Sequence, residues 1–321
     1  MTDDSWSMIE EAVFRIFDEI AGKHTAIAPQ LSELGWSDIE TEYPIEACEL
    51  LFRAQGRSLA QTDCLDRVVL AELAGALGDP VDAIVMPTVG DRCLPASDAD
   101  QVRGVVLGPL QGRVMVPVTG PGARVTVGIV DAESLRGQRL DTFDPTVHWT
   151  RVDGPLHGEL VDASDAWNRA IAAAHRALGT ELIAITEQIL AIAVTHAKTR
   201  IQFGTPIGSF QSPRHALAEA CAALEGALAL MGESWRYGGQ LSAQVAKTAA
   251  GRAHRTVSDT AMQVLGAIGL TAEHELHRYV RRGFQIDSLF GSYHELETLL
   301  GEQLFNTHPP GEALPAIVAC G

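Results

Sequence analysis

One segment limits more than any other what this 321-residue chain can fold into: Arg-Ile-Gln-Phe-Gly-Thr-Pro-Ile-Gly-Ser-Phe-Gln, residues 200–211, set between two long Ala/Leu-rich stretches of helical periodicity. Gly204, Pro206 and Gly208 break a helix that would otherwise run on, and Arg200 and Gln211 stand on either side as planar hydrogen-bond donors. Such a loop turns the chain and can present a guanidinium to a phosphate. The plainer alternative is an ordinary helix-to-helix turn with a solvated arginine.

On either side the periodicity sorts the chain into three textures. Ser7-Met-Ile-Glu10 reads as a capping box, and Ile9, Val13, Ile16, Phe17 and Ile20 follow at helical spacing. Further helical patterns run from Pro44 to about Ala54 and from Leu65 to Leu77, so a small helical domain opens the chain. From about Ala83 to Trp149, short β-branched runs (Val105–Leu107, Val114–Val118, Val125–Val130) alternate with Gly, Pro and Asp, which predicts a compact antiparallel β-domain. Pro117 and Gly128 lie inside runs, placing those strands at edges or bulges.

From about Ala163 the 3.6-residue period returns. The helix approaching Arg200 carries Glu181, Gln188 and Thr195 on one narrow polar face, as a central bundle helix should. Ser212-Pro213 reads as an N-cap followed by proline, with Leu217, Cys221, Leu224, Leu228 and Met231 as the core stripe of a second helix. Leu241, Val245, Ala249, Val257 and Val264 mark a third, stopped by Gly266. Thr271 caps a short one ending in Arg281 and Arg282 before Gly283, and Ser292-Tyr-His-Glu295 is a capping box for the last. The expected fold class is mainly α with a small central β-domain: an N-terminal helical domain at 1–82, a middle β-domain at 83–160 and a C-terminal helical bundle at 161–321.

Composition removes several functions. Twenty-four Lys and Arg against forty-one Asp and Glu leave a formal charge of −17, which argues against a nucleic-acid partner. Cys48, Cys64, Cys93, Cys221 and Cys320 are odd in number and scattered, without metal-type spacing, so reduced thiols in a cytoplasmic protein are expected. No basic segment precedes an apolar core at the N-terminus. The longest apolar run, Leu182–Val194, is interrupted by Glu187 and Gln188 and too short to span a bilayer, so no membrane association is expected. His274, His277 and His294 have no partners at metal-ligand spacing, and no metal is expected. Arg278, Arg281 and Arg282 are either a solvated helix end or a group facing a phosphate.

Arg-x-Gln-Phe-Gly-x-Pro-Ile-x-x-Phe-Gln at residues 200–211 resembles the signature following the first long C-terminal helix of acyl-CoA dehydrogenases, flavoproteins that oxidise acyl-CoA thioesters to enoyl-CoA. Gln263-Val-Leu-Gly-Ala-Ile-Gly-Leu-Thr271 is similar to that family's Gln-x-x-Gly-Gly-x-Gly stretch, with Ala267 where the second glycine usually stands. The resemblance covers the C-terminal half well and the N-terminal half loosely. It implies that Arg200, Phe203, Gln211, Gln263 and the backbone at Gly266 reach FAD across a subunit interface. It also places Ser292 where the family has a coenzyme-touching Thr, although a plain N-cap explains Ser292 equally well.

The resemblance fails at the base. Its two usual positions for the proton-abstracting Glu fall on Phe290 and Ala174, neither of which takes a proton; His175 and Glu181 lie near the second as weak substitutes. The family's Thr-Glu-x-x-x-Gly-Ser-Asp flavin-lining segment is absent between Ala83 and Ala99, where Pro95–Asp98 is a bare trace. The chain therefore looks like the shorter, degenerate subunit of actinobacterial heterotetrameric acyl-CoA dehydrogenases of steroid side-chain catabolism. That implies an α2β2 partnership with a longer subunit that supplies the Glu, and an acyl-CoA substrate. Two alternatives stay open: a homo-oligomeric dehydrogenase using Glu181 or His175, and a flavin-free scaffold or regulatory binding protein.

Overall fold

The computed structural model describes residues 3–75, 80–87 and 94–306. The N-terminal part is helical, with α1 (Asp3–Ile20), α2 (Ile27–Leu31), α3 (Trp36–Glu42), α4 (Pro44–Ser58) and α5 (Cys64–Leu73); strands β1 (His24–Thr25) and β2 (Gln61–Thr62) pair in parallel. The middle part contains β3 (Ala83–Ile84), β4 (Gln101–Val106), β5 (Arg113–Thr119), β6 (Val125–Asp131), β7 (Arg136–Arg139), β8 (Thr150–Pro155) and β9 (Val161–Asp162). They form two sheets of order β3-β5-β6-β9 and β4-β8-β7, antiparallel except where β3 meets β5. α6 (Ser164–Thr199), α7 (Gln211–Tyr237), α8 (Gln240–Leu265) and α9 (Leu276–Asp287) make a bundle. The hairpin of β10 (Ile201–Gln202) and β11 (Thr205–Pro206) links α6 to α7, and α10 (Tyr293–Gly301) packs on α8.

α6 is the axis of the molecule. From Ala170 to Thr186 every residue but Arg176 is buried, because α4 and α5 cover one side and α7, α8 and α9 the other. At 36 residues α6 is long and apolar enough to cross a bilayer, against the reading of Leu182–Val194 as too short, but its apolar window is mostly buried inside this chain. A helix apolar all round is a core helix when its own fold covers it.

Local signals misled at several element ends. Ser7 and Glu10 lie inside α1, which starts at Asp3, so they form no capping box. α7 starts at Gln211 with Phe210 as N-cap, so Ser212 and Pro213 fall within its first turn. The buried stripe of α7 is Ala220, Leu224, Ala227, Met231 and Ser234; Leu217 and Leu228 are half-buried and Cys221 is exposed. Glu275, not Thr271, precedes α9, and α9 runs through Gly283. A Cβ at Gly283 would lie 2.0 Å from the His254 ring, so this glycine serves close helix packing and stops nothing. The Ser292–Glu295 capping box is present with both reciprocal bonds. Cys93, Cys320 and the end of the Leu65–Leu77 pattern lie outside the described residues.

Pro117 and Gly128 are paired in unbroken register between β5 and β6, without a bulge and not on an edge strand pair. Residues 113, 115 and 119 turn their backbone groups the other way, towards Asp82, Val85 and Ser97. Pro117 shares that side, so its missing N–H removes no bond to β6. Gly128 makes room for Leu160, whose Cδ2 would lie 2.9 Å from a Cβ there.

Arg282 ties the three parts together. It is 2 % exposed, and its Nε donates to Asp144 Oδ2 at 2.6 Å. Its Nη1 donates to the carbonyls of Leu59 and Ala60 at 3.0 and 3.2 Å, and its Nη2 to Thr146 Oγ1 at 3.1 Å. Burial works to raise the Asp144 carboxyl, but Arg282 and Thr146 outweigh it and hold the group below the usual range. Arg282 is thus neither a solvated helix end nor a phosphate ligand. Arg282→Met, which strands Asp144 without its cation, is expected to cost about 3–5 kcal/mol, and adding Asp144→Leu to recover part of that loss. Urea unfolding of the single and double variants measures both.

Candidate functional site

The family-like residues fall into two groups. α6 and α8 run in the same direction with α7 antiparallel between them, so the end of α6, the start of α7 and the end of α8 share one end of the bundle. Arg200 leaves α6 in an extended conformation, and its carbonyl accepts from Ile207 N at 2.9 Å, closing the loop. In the β10–β11 hairpin Phe203 and Gly204 occupy the two turn positions with φ of 52° and 80°. Both positive values are what a two-residue primed turn demands, at a steric cost for Phe203 of about 1–2 kcal/mol. The turn projects Phe203 into solvent, 94 % exposed, edge-on to Phe210 at 6.1 Å.

Gln211 opens α7, Gln263 lies in the last turn of α8, and Gly266 (φ 64°) ends that helix with open space beside it. The side chains of Arg200, Gln211 and Gln263 are exposed and have no hydrogen-bond or ion-pair partner among the described residues. Ala267 is exposed too. Ile201, Phe203, Phe210, Ile268 and Leu270 display apolar surface around these donors.

The second group is closed. Ala174 is fully buried, and Phe290 is 1 % exposed with its ring 6.0 Å from that of Trp167. His175 Nε2 donates to the Phe290 carbonyl at 2.9 Å. Lys247, fully buried on α8, donates to the carbonyls of Asp287 and Gly291 and lies 3.9 Å from the Asp287 carboxylate, which accepts from Tyr293 N at 3.2 Å. These bonds hold Phe290 and Gly291 in left-handed conformations, φ 52° and 87°. Burial, then the Lys247 charge, push His175 down to about 3, so it is neutral at ordinary pH. The Ser292 hydroxyl is committed to the α10 cap and to Glu295 Oε2 at 2.9 Å. Lys247 and Asp287 were missed in the sequence, although Lys247 falls four residues after buried Ala243 and three before buried Ala250, on the core face of α8.

Glu181 is 2 % exposed and accepts from Gln55 Nε2 at 2.9 Å; burial raises its carboxyl to about 7. That value would suit a general base. The cavity beside it, however, is about 50 Å³ and leaves no room for a thioester.

Ala174 precedes Arg200 by 26 positions on one continuous helix, which at 1.5 Å per residue is about 39 Å. Arg200, at the open end, and the buried Ala174 thus lie at well-separated points of α6.

Helices, a middle β region and a helical bundle with this loop define the acyl-CoA dehydrogenase fold. A crystal structure of the ChsE4-ChsE5 complex from Mycobacterium tuberculosis superposes with a TM-score of 0.75 at 20 % identity, covering 96 % of this chain and 99 % of that one. The Tcur3481-Tcur3483 steroid ACAD G363A variant gives a TM-score of 0.67 at 22 % identity and 80 % of each chain. In sequence, acyl-CoA dehydrogenase IpdE2 of Mycobacterium tuberculosis is 26 % identical across 93 % of this chain and 88 % of its own length. Residues 168–291 match the acyl-CoA dehydrogenase C-terminal domain.

Glu181 also sets a pH dependence. Its folded value of about 7 lies above its ordinary 4.5, so the stability it leaves intact below 4.5 is lost as pH rises through 7. Asp66, raised to about 7 by burial, acts with the same sign. Glu181→Gln is expected to remove a few kcal/mol of the decline between roughly pH 5 and 8. Denaturant midpoints at the two pH values decide it, and an unchanged slope would contradict the assignment.

Proposed function

We propose that this chain is a subunit of an FAD-dependent acyl-CoA dehydrogenase that grips the phosphate end of a flavin whose ring and catalytic Glu belong to a longer partner subunit. The separation along α6 supports this reading most directly: about 39 Å of helix divides the free donors from the closed base position. The donor set suits a diphosphate. Arg200 offers a guanidinium fork, Gln211 and Gln263 offer carboxamides, and Gly266 has no side chain to hold a ligand off.

When bound, FAD accepts the hydride as the α,β bond of an acyl-CoA thioester is desaturated. This chain's residues bind and orient. Phe203, strained and exposed beside Phe210, would be covered by the partner together with Ile201, Ile268 and Leu270, which removes apolar surface from water. Phe290, sealed by Trp167, His175 and Lys247, fills the place where a base would stand.

Two neighbours in fold carry paired names, ChsE4-ChsE5 and Tcur3481-Tcur3483, the second called a steroid ACAD. By analogy we assign this chain to an α2β2 assembly acting on a bulky, steroid-derived acyl-CoA. The test is co-expression with candidate partner chains. Arg200→Ala in the complex removes a charge-assisted contact and is expected to weaken flavin retention about ten- to a hundred-fold. Turnover should survive Glu181→Gln. A complex that keeps its flavin fully without Arg200, or stops turning over without Glu181, would count against the reading.

A further inference from the structure

Between Ala170 and Thr186, where α6 is otherwise buried, the half-buried Arg176 reaches towards residues of α4, α5 and α7. One face of its guanidinium lies over the half-buried Trp235 ring, 5.5 Å from the centroid, and that ring is fixed because its Nε1 donates to Thr180 Oγ1 at 3.1 Å. Such a stack holds an arginine in place and leaves its in-plane N–H groups free to bond. Here they find nothing: Nη1 is buried without an acceptor, and no hydrogen bond or ion pair joins Arg176 to any described residue.

The surrounding groups do not supply the missing anion. Glu72, whose charge reaches Arg176, already accepts from Arg169 Nε at 3.0 Å. Cys48 on α4 also lies close, but burial pushes its thiol up to about 12, so it is neutral. Two arginines therefore share one carboxylate, on a chain whose formal charge is −17. A guanidinium taken partly out of water without a counter-ion is costly, and a hydrogen-bonded anion offsets that cost. The spare charge is a single one, with Glu72 opposing any more negative ligand, so a planar monoanion with two oxygens suits it better than a doubly charged phosphate.

We propose that Arg176, with Trp235 as its back wall, is a binding site for a carboxylate, brought either by a small free acid or by an acidic side chain of a neighbouring subunit. It does not depend on the flavin assignment, because it uses none of the same residues.

Thermal melts of the full-length chain in sodium acetate against sodium chloride at equal ionic strength test it, the concentration dependence of the Tm shift giving the acetate affinity. A saturable rise with acetate is expected. Arg176→Gln should weaken the apparent affinity about ten-fold or more, and Arg176→Lys, which keeps the charge and loses the fork, by less. In chloride alone Arg176→Gln should melt no lower than the parent chain, because no hydrogen bond within it is lost. The same melts on the chain bound to its partner separate the two sources. A free acid raises Tm there too, whereas an acidic side chain of a neighbouring subunit fills the site, abolishes the acetate response and makes assembly sensitive to Arg176→Gln. The inference is overturned by equal melts of the isolated chain in acetate and chloride, by an acetate effect that survives Arg176→Gln, or by a clear loss of Tm in chloride on Arg176→Gln, which would mean that the guanidinium already has its partner within the chain.

Discussion

The arrangement of the molecule rests on the buried Arg282–Asp144 pair. A guanidinium taken out of water must find an acceptor for nearly every N–H, and here the acceptors come from the end of α4 and from the segment leading into β8. α9 is thereby locked to the N-terminal helices and to the β region at one point. The small chamber at Glu181 borders this junction, and Arg282 itself lines it. A hydrophobic contact would hold the layers together as strongly, but the guanidinium fork also specifies their relative orientation.

From that frame the two halves of the inherited site take opposite states. Around Phe290 the polar side chains are turned inward: His175 Nε2 and Lys247 bond backbone carbonyls, Asp287 accepts from Tyr293, and Ser292 serves its own cap. At the far end of α6 the strong donors are without partners among the described residues, and a phenylalanine sits in a left-handed turn in open solvent. Under the proposed function, this contrast between a closed base position and open donors is what lets the chain complete a site on a partner. Burial near Glu181 and Asp66 carries its own cost as pH rises, which suggests that these carboxyls are retained for packing and hydrogen bonding.

The textures were legible because period is a global property of a segment: α6 and α8 read as helices from many positions at once, and the short β-branched runs as strands. Caps were not. Ser-x-x-Glu is chemically competent at Ser7 and Ser292 alike, and only Ser292 has a helix that starts there. The three arginines of α9 look alike in sequence; Arg282 differs because Asp144, 138 positions away, folds against it. Pro117 looked like an edge residue because alternation of backbone direction along β5 cannot be counted without the partner strand. At the candidate site, Arg200, Gln211 and Gln263 stand out in sequence motifs, whereas the Lys247–Asp287 clamp depends on two helices crossing.

The account is tested most directly by counting bound flavin per polypeptide in the purified assembly, beside the same count for this chain expressed by itself. It predicts no flavin on the isolated chain and one per pair of unlike subunits in the complex. An isolated chain that carries a full complement of FAD and desaturates an acyl-CoA unaided would contradict it.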